Sequence, residues 1–405
     1  MNIVITPSPL SGTVRIPASK SAAHRLLIAA ALADGPTHIA ISGTNRDIEA
    51  TAACLRALGA GVEAEGEALK VSPITDIPGK VTLDCGESGS TLRFLLPVAA
   101  ALGAQATFTG HGRLPQRPNA PLVEALREHG AVVDSDLLPM AVSGSLTGGR
   151  WTLPGDVSSQ YVTGLLFALP LLDGDSEISL TTPLASAAYV DMTLQALAQF
   201  GIAVETTETG WRVPGGQRYR SPGGAAVEGD WSAAAFWLAA NALGARIDVE
   251  GLRPDSVQGD RAVAALLGQA AIDATHVPDL VPALAVAAAN KPMRTVITGA
   301  ARLRLKESDR LQSVADMLAA LGHSATVTPD GLIIDGGPPR PCPAPIRTVD
   351  GANDHRIVMA AAVAAAFADR PVRILGAEAV EKSYPDFFRD LRQLGGRVDV
   401  EPSGQ

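Results

Sequence analysis

The sequence is poor in cysteine, in aromatic side chains and in positive charge, and each deficit excludes a class of protein. Its 405 residues include three cysteines, which lack the paired Cys and His spacing of a zinc site and the even number of a disulfide framework. Aromatic residues make up 4% of the chain and the formal net charge is -9. This composition argues against a basic surface or a stacking platform for nucleic acid, which we therefore do not expect as a partner.

Long apolar runs are also missing. The apolar stretch at 92–102 is too short to span a bilayer, so no membrane partner is expected. The first ten residues carry neither the basic region nor the apolar run of a targeting signal, and we predict a cytoplasmic protein. A length of 405 residues exceeds a typical single core and suits two domains.

What the sequence does contain is a repeat that occurs six times. Each repeat has a polar cap, an Ala- and Leu-rich helix, a short strand and a second helix that ends near Leu-Gly. By subtraction, the terminal glycines are 71, 71, 67, 54 and 73 residues apart, at Gly59, Gly130, Gly201, Gly268, Gly322 and Gly395. The caps precede them by 40, 42, 43, 38, 43 and 41 residues, at Ser19, Ser88, Ser158, Asp230, Asp279 and Asp354. Such spacing indicates a repeat architecture, which purely structural solenoids share.

The fifth repeat shows the predicted elements most clearly. It has a helix over 281–289, a strand over 295–298, a second helix over 312–321 and a hairpin of 325–327 and 332–334. We therefore expect helix, strand, helix, strand, strand in every repeat, which gives an α/β fold with mixed sheets and packed helices. Two domains of three repeats each are the natural division, with a boundary near residue 227 after the Gly- and Pro-rich stretch 214–224.

Basic and hydroxyl side chains gather at the helix starts and in the adjoining loops. Five of the six repeats bring Lys or Arg there, although the chain as a whole is acidic. Helix N-termini bind anions, and a cationic cleft in an acidic protein focuses small polyanions. Taken singly, however, each motif also suits an ordinary cap or a solvated charge. The motifs are I-P-A-S-K-S at 16–21 with Arg25, E-S-G-S-T-L-R at 87–93, Q-R-P at 116–118, S-S-Q at 158–160, L-K-E-S-D-R-L at 305–311, D-H-R at 354–356 and K-S-Y-P-D-F-F at 382–388.

In this order, along essentially the whole chain, these motifs closely resemble those of the EPSP synthase family of enolpyruvyl transferases. The resemblance implies two similar domains, each of three βαβαββ-type repeats in an inside-out α/β barrel-like arrangement, with the active site in the cleft between them. One domain would contain residues 1–18 and 228–405 and the other 19–227, so the chain would cross twice, near 18 and 227. A monomer is expected from the family.

The resemblance also implies a reaction. The enolpyruvyl group of phosphoenolpyruvate would be transferred to the 5-hydroxyl of shikimate 3-phosphate, which releases phosphate and leads toward chorismate and the aromatic amino acids. No metal or organic cofactor is expected, because the leaving group and the electron-rich enol both belong to the substrate.

Residue roles follow from the same resemblance. The residues expected to bind shikimate 3-phosphate are Lys20, Ser21, Arg25, Ser158, Ser159, Gln160, Ser186, Asp279 and Lys306. Those expected to bind phosphoenolpyruvate are Lys20, Gly89, Arg117, Gln160, Arg310, Arg356 and Lys382. Asp279 would be the base toward the 5-hydroxyl, and Glu307 and Lys20 would act in the proton transfers at carbon. His355 would either shuttle a proton or orient a phosphate.

Two other functions stay open at this point. The UDP-N-acetylglucosamine enolpyruvyl transferases share the fold and the donor, but they usually carry a cysteine in the loop that corresponds to 112–118, where this chain has none. A non-catalytic polyanion-binding repeat protein is the second alternative. The acids Asp279 and Glu307 among the cations disfavour it, because acids weaken pure anion binding.

Overall fold

The computed structural model describes residues 1–401, which form two compact units with a hydrophobic core each. The central unit contains residues 18–228. The terminal unit contains residues 1–17 and the chain from residue 229 onward. Within residues 1–401, no helix combines the length and the apolar composition that a membrane crossing requires.

The helices divide equally between the two units. Those of the central unit are α1 (Lys20–Ala31), α2 (Arg46–Ala57), α3 (Gly89–Ala101), α4 (Ala120–Glu128), α5 (Ser159–Ala168) and α6 (Ala187–Gln199). Those of the terminal unit are α7 (Trp231–Ala242), α8 (Val263–Leu266), α9 (Val281–Ala289), α10 (Arg310–Ala320), α11 (His355–Ala366) and α12 (Phe387–Gln393). Short 3-10 helices cover Leu114–Gln116, Leu169–Leu171, Gly259–Ala262, Pro278–Leu280, Ala301–Leu305 and Ala377–Lys382.

The strands are short and follow the repeats. In the terminal unit, β1 (Asn2–Thr6) and β2 (Ser11–Arg15) precede the point at which the chain enters the central unit. The central unit has β3 (Thr37–Ala40), β4 (Gly61–Glu65), β5 (Ala68–Ser72), β6 (Lys80–Asp84), β7 (Gln105–Thr109), β8 (Ala131–Val133), β9 (Met140–Gly144), β10 (Gly149–Leu153), β11 (Ser176–Leu180), β12 (Glu205–Thr206), β13 (Gly210–Val213) and β14 (Gly224–Ala226). The remaining strands are β15 (Arg246–Glu250), β16 (Ala271–Asp273), β17 (Arg294–Thr298), β18 (Ser324–Thr328), β19 (Gly331–Asp335), β20 (Arg347–Asp350), β21 (Val372–Leu375) and β22 (Arg397–Glu401).

Five four-stranded sheets share one pattern. In the fifth repeat, β16 and β17 are parallel, and β17 pairs antiparallel with β19 of the β18–β19 hairpin. The other orders are β14-β3-β5-β4, β6-β7-β9-β8, β10-β11-β13-β12 and β20-β21-β1-β22. The predicted α/β class with mixed sheets is confirmed.

The N-terminal strand completes the sheet of the last repeat. β1 lies between β21 and β22 and pairs antiparallel with both. Its Asn-Ile-Val-Ile-Thr sequence alternates, so Ile3 and Ile5 enter the core of the terminal unit. The first residues therefore fold with the end of the chain.

The fourth repeat departs from the predicted pattern. Its second helix, α8, has four residues, and β15 pairs with β2 in a two-stranded sheet. By subtraction, 11 residues separate Gly268 from Asp279, and the single strand β16 in this segment joins the sheet of the fifth repeat. The prediction of a hairpin in every repeat was wrong here, because the 54-residue step from Gly268 to Gly322 leaves no chain for one.

The six glycines that define the repeat all have a left-handed backbone. Their φ angles lie between 75° and 102°. In each repeat one C-cap residue lies between the last helical residue and the glycine, as Leu58 does between α2 and Gly59. A residue with a Cβ is strained at such φ values, so the Leu-Gly ends were readable from sequence.

Close packing of α3 and α5 in the central unit gives a stability test. Gly164 lies on α5, and a Cβ there would clash with the carbonyl oxygen of Arg93 and lie 3.0 Å from Cγ of Pro97. We expect Gly164→Ala to destabilise the protein by about 1–3 kcal/mol, since backbone must move. The measurement is the urea midpoint, with Gly79→Ala as control because a Cβ at Gly79 meets nothing within 4 Å. Equal midpoints for both variants would contradict the prediction.

Candidate functional site

Five of the six predicted caps accept a hydrogen bond from a backbone N–H of the first helical turn. They are Ser19, Ser88, Ser158, Asp230 and Asp354. Asp279 is the exception. It lies in the 3-10 turn Pro278–Leu280 before α9, and its carboxylate makes ion pairs in place of a cap bond.

In the central unit, α1 begins with Lys20. Its ammonium group lies 2.8 Å from Oδ2 of Asp47, which comes from the first turn of α2, and both side chains are largely buried. Sequence analysis missed Asp47, although an acid in the first turn of the next helix was visible as a signal. The pair holds the ammonium at the start of α1.

Arg25 is a buried cation with neutral partners. Its guanidinium donates to Oγ1 of Thr193 and to the carbonyl oxygens of Ser21 and Tyr189, and it lies 5.1 Å from the ring centre of Phe94. Burial lowers the pKa of Arg25 to about 9. No ion pair with a carboxylate offsets this burial within residues 1–401, so an anionic ligand would stabilise the charge.

Ser186 is connected to Arg25 through the backbone of Tyr189. It precedes α6 with φ of 57°, a left-handed conformation that costs about 1–3 kcal/mol for a non-glycine residue. Its carbonyl oxygen accepts from the N–H of Tyr189, whose own carbonyl oxygen accepts from Arg25. The structure therefore brings two of the predicted shikimate 3-phosphate residues together.

The N-terminus of α3 lies beneath an arginine. Gly89 is the first residue of α3, and a Cβ there would be 2.7 Å from Nη1 of Arg117. Arg117 follows the 3-10 turn Leu114–Gln116 and is buried. Helix N–H groups and a guanidinium converge here, as in an anion site, and only glycine leaves room for this approach.

Arg93 connects the elements of this site. Its Nη1 donates to Oε1 of Gln160 (2.7 Å), its Nη2 to the carbonyl oxygen of Pro118 (3.0 Å) and its Nε to Oδ1 of Asn119 (3.0 Å). Gln160 also donates to Oγ of Ser90 (2.9 Å). Ser158 and Ser159 lie next to Gln160 at the start of α5. Arg93 belonged to a quoted motif but was not predicted as a site residue.

In the terminal unit, Arg310 is surrounded by three carboxylates. Its side chain is 1% exposed and bonds to both oxygens of Asp354, to Oδ1 of Asp279 and to Oε2 of Glu307. Burial alone would lower the pKa of Arg310, but the three acids raise it above its usual value. Asp354 starts α11 and was predicted only as a cap.

Asp279 is in turn surrounded by three cations. Its carboxylate lies 2.8 Å from Arg310, 3.2 Å from Arg356 and 3.4 Å from Lys306. Burial alone would raise the pKa of Asp279, but the three cations outweigh burial and hold it well below its usual value. The structure thus joins five predicted residues of the terminal unit, namely Asp279, Lys306, Glu307, Arg310 and Arg356, in one ion-pair network.

Lys382 contacts the turn that precedes α11. It ends the 3-10 helix Ala377–Lys382 and donates to the carbonyl oxygen of Asn353 at 2.7 Å. Ala352 and Asn353 both have positive φ, of 51° and 50°. The buried ammonium therefore stabilises the strained turn that leads into Asp354 and α11.

A carboxyl that sequence analysis did not single out lies near this network. Asp260, 3% exposed, comes from the 3-10 helix Gly259–Ala262. Its Oδ2 accepts a bond from Ser232, while Oδ1 has no hydrogen-bond partner in the described part of the chain. Burial and the charge of Asp279 raise the pKa of Asp260 to about 7 against the opposing effects of Arg356 and Ser232.

Comparison with known proteins gives consistent matches. The family model described as EPSP synthase (3-phosphoshikimate 1-carboxyvinyltransferase) matches residues 4–275 and 266–391. The 3-phosphoshikimate 1-carboxyvinyltransferase of Clostridium kluyveri is 40% identical over 427 residues, which cover 98% of each chain. The enzyme of that name from Halobacterium salinarum is 39% identical over 98% of this chain and 100% of its own. A solved EPSP synthase from Acinetobacter baumannii superposes with a TM-score of 0.80 at 26% identity, over 98% of this chain and 100% of that chain.

The Asp260 carboxyl gives a pH test. Between its ordinary pKa of 3.8 and about 7, the folded state keeps a proton that the unfolded state releases, so Asp260 lowers stability as pH rises through this range. We expect Asp260→Asn to gain stability relative to the parent from pH 5 to pH 8, on the order of 1–3 kcal/mol. Urea midpoints measure the difference.

The control is Asp255→Asn, because Asp255 is exposed and bonded to Arg253. Its midpoint should show no such gain. A difference between Asp260→Asn and the parent that stays constant or shrinks with rising pH would contradict the expected sign.

Proposed function

The chain belongs to the EPSP synthase family, and from this premise we propose that it transfers the enolpyruvyl group of phosphoenolpyruvate to the 5-hydroxyl of shikimate 3-phosphate. The products are 5-enolpyruvylshikimate 3-phosphate and phosphate, on the route to chorismate and the aromatic amino acids. The observation that carries the proposal is Asp279 within a ring of Lys306, Arg310 and Arg356. Cations bind anionic substrates, and an acid kept among them supplies proton transfer.

The reaction has two stages. In the first, the methylene carbon of phosphoenolpyruvate gains a proton, and the 5-hydroxyl oxygen adds to the adjacent carbon as it loses its own proton. In the second, the new methyl group loses a proton and the bond from carbon to the phosphate oxygen breaks. The chemistry needs an acid and a base at carbon, a base at the hydroxyl and cations for the departing phosphate.

We assign the removal of the proton from the 5-hydroxyl to Asp279. Its low pKa in the absence of ligand reflects three nearby cations. A bound anion that draws Lys306 and Arg356 toward its own oxygens would raise this pKa and make the carboxylate a better base. Glu307, held by Arg310, and Lys20, held by Asp47, are assigned to the proton transfers at carbon.

Binding of shikimate 3-phosphate is assigned to nine residues. Arg25 supports this assignment most directly, because a buried guanidinium with neutral partners gains stability from an anion. The hydroxyl groups and amide at the starts of α1, α5 and α6 donate and accept hydrogen bonds. The set is Lys20, Ser21, Arg25, Ser158, Ser159, Gln160, Ser186, Asp279 and Lys306.

Binding of phosphoenolpyruvate is assigned to a mainly cationic set. Arg117 over Gly89 supplies a guanidinium beside a helix N-terminus. Four of the five N–H groups of Arg310 donate hydrogen bonds to the acids, and one N–H of Nη1 is left for the substrate. The set is Lys20, Gly89, Arg117, Gln160, Arg310, Arg356 and Lys382.

The protein is further proposed to act as a monomer in the cytoplasm. The support is that both substrates are small, water-soluble anions and that one chain supplies every residue assigned above. Oligomeric state is measurable by light scattering of the purified protein, where a stable dimer would contradict the proposal.

Phosphate release from substrate pairs tests the activity. The purified protein should release one phosphate per phosphoenolpyruvate consumed when shikimate 3-phosphate is present, and none with phosphoenolpyruvate alone. Release with UDP-N-acetylglucosamine as the acceptor, and not with shikimate 3-phosphate, would favour the alternative transferase. Binding of both substrates without release from any pair would favour the non-catalytic alternative.

Lys382 gives the second test of this function. We expect Lys382→Ala to raise the KM for phosphoenolpyruvate by about 10-fold or more, because a buried cation close to a phosphate or carboxylate contributes strongly. Initial-rate kinetics with each substrate varied in turn measure the change. Lys80→Ala removes an exposed lysine and is the control. A KM for phosphoenolpyruvate equal to that of the control would remove Lys382 from the site.

A further inference from the structure

Four hydrogen-bonded side chains form a buried chain inside the central unit, and the function proposed above assigns none of them a role. The chain runs from His24 on α1 through Thr51 on α2 and Thr91 on α3 to Ser88, the N-cap of α3. Its three bonds, from Nδ1 of His24 to Oγ of Ser88, each measure 2.7 Å. None of the four residues is more than 1% exposed.

The direction of the protons along this chain follows from its end. Oγ1 of Thr91 donates its only proton to Ser88, so it must accept from Thr51. The hydroxyl proton of Thr51 is then donated to Thr91, so Oγ1 of Thr51 must accept from Nδ1 of His24. Nδ1 of His24 therefore carries a proton, and a neutral His24 is the Nδ1–H tautomer.

The surroundings of His24 agree with this tautomer. Burial, with the charges of Lys20 and Arg25, holds the pKa of His24 well below its usual value. Nε2 of His24 has no hydrogen-bond partner among residues 1–401. The rings of His24 and Phe94 pack in a T-shaped arrangement with their centres 6.3 Å apart. A neutral imidazole with its proton on Nδ1 has an unprotonated Nε2.

The chain ends where an anion is proposed to bind. Oγ of Ser88 also accepts the N–H of Thr91 at 3.2 Å, which forms the cap of α3. Gly89, beneath Arg117, follows Ser88 directly. At the other end, His24 precedes Arg25 and lies one turn from Lys20 on the same helix.

We propose that His24, Thr51 and Thr91 are positioning residues that fix the start of α3 relative to α1, so that phosphoenolpyruvate meets a preformed anion site. Hydroxyl groups suit this role because their bonds specify distance and direction, whereas an apolar contact specifies neither. The inference rests on the proposed function, since phosphoenolpyruvate is the ligand whose binding the chain would favour. Small displacements of binding groups weaken the productive geometry.

Thr51→Val tests the proposal, because it removes the central hydroxyl and keeps the shape of the side chain. We expect the KM for phosphoenolpyruvate to rise about 5- to 20-fold, with kcat within about two-fold of the parent. Thr51→Ser restores the hydroxyl and should return the KM to within about two-fold of the parent.

The matched control is Thr37→Val in the same unit. Thr37 is also fully buried, and its hydroxyl bonds to Ser221 at 2.8 Å, away from α3. The control should lose a comparable amount of stability, measured as the urea midpoint, with an unchanged KM. Thr51→Val with that same loss of stability and an unchanged KM would show a structural role only and overturn the inference.

A second measurement uses the parent protein, in case Thr51→Val does not fold. Nitrogen-15 chemical shifts of His24 should show a protonated Nδ1 and an unprotonated Nε2 across pH 6 to 8. A proton on Nε2 would overturn the proposed direction of the chain and the inference with it. A parent protein that releases no phosphate would overturn the proposed function as well, whereas an active parent with an unaffected Thr51→Val overturns the inference alone.

Discussion

A buried guanidinium is costly unless it is paired, and in the terminal unit the pairing of Arg310 joins segments that are distant in sequence. Arg310 draws carboxylates from three places: the turn before α9, the residue three positions upstream and the start of α11. Removal of one partner from such a buried network leaves an uncompensated charge, so the network forms as a whole or costs several kcal/mol. The position of Asp279, and with it the cations Lys306 and Arg356, follows from this one side chain.

The central unit meets the opposite condition. Arg25 is buried among neutral partners within residues 1–401, and Arg117 lies over the N-terminus of α3. The terminal unit balances its buried Arg310 with carboxylates. The two units therefore stabilise their buried arginines in different ways.

Local features of the fold were predictable from sequence, whereas side-chain contacts between helices were not. Positive φ at the repeat glycines and most helix caps depend on a few neighbouring residues, which is why their positions were readable. The fourth repeat differs from the prediction because the shorter step from Gly268 to Gly322 leaves too few residues for a hairpin. Asp47, Asp260 and the hydroxyl chain from His24 depend on side chains about 20 to 40 positions apart, which no local pattern reveals.

The strand β1 has a consequence for the order of the chain. It pairs with β22, with Asn2 opposite Glu401, and with β21, so the two ends of the described chain lie side by side in one sheet. A short linker from Glu401 to Asn2, with new ends opened between 228 and 229, would make the terminal unit continuous in sequence. The chain would then pass between the units once. The same contacts would then be encoded by two consecutive segments of three repeats each.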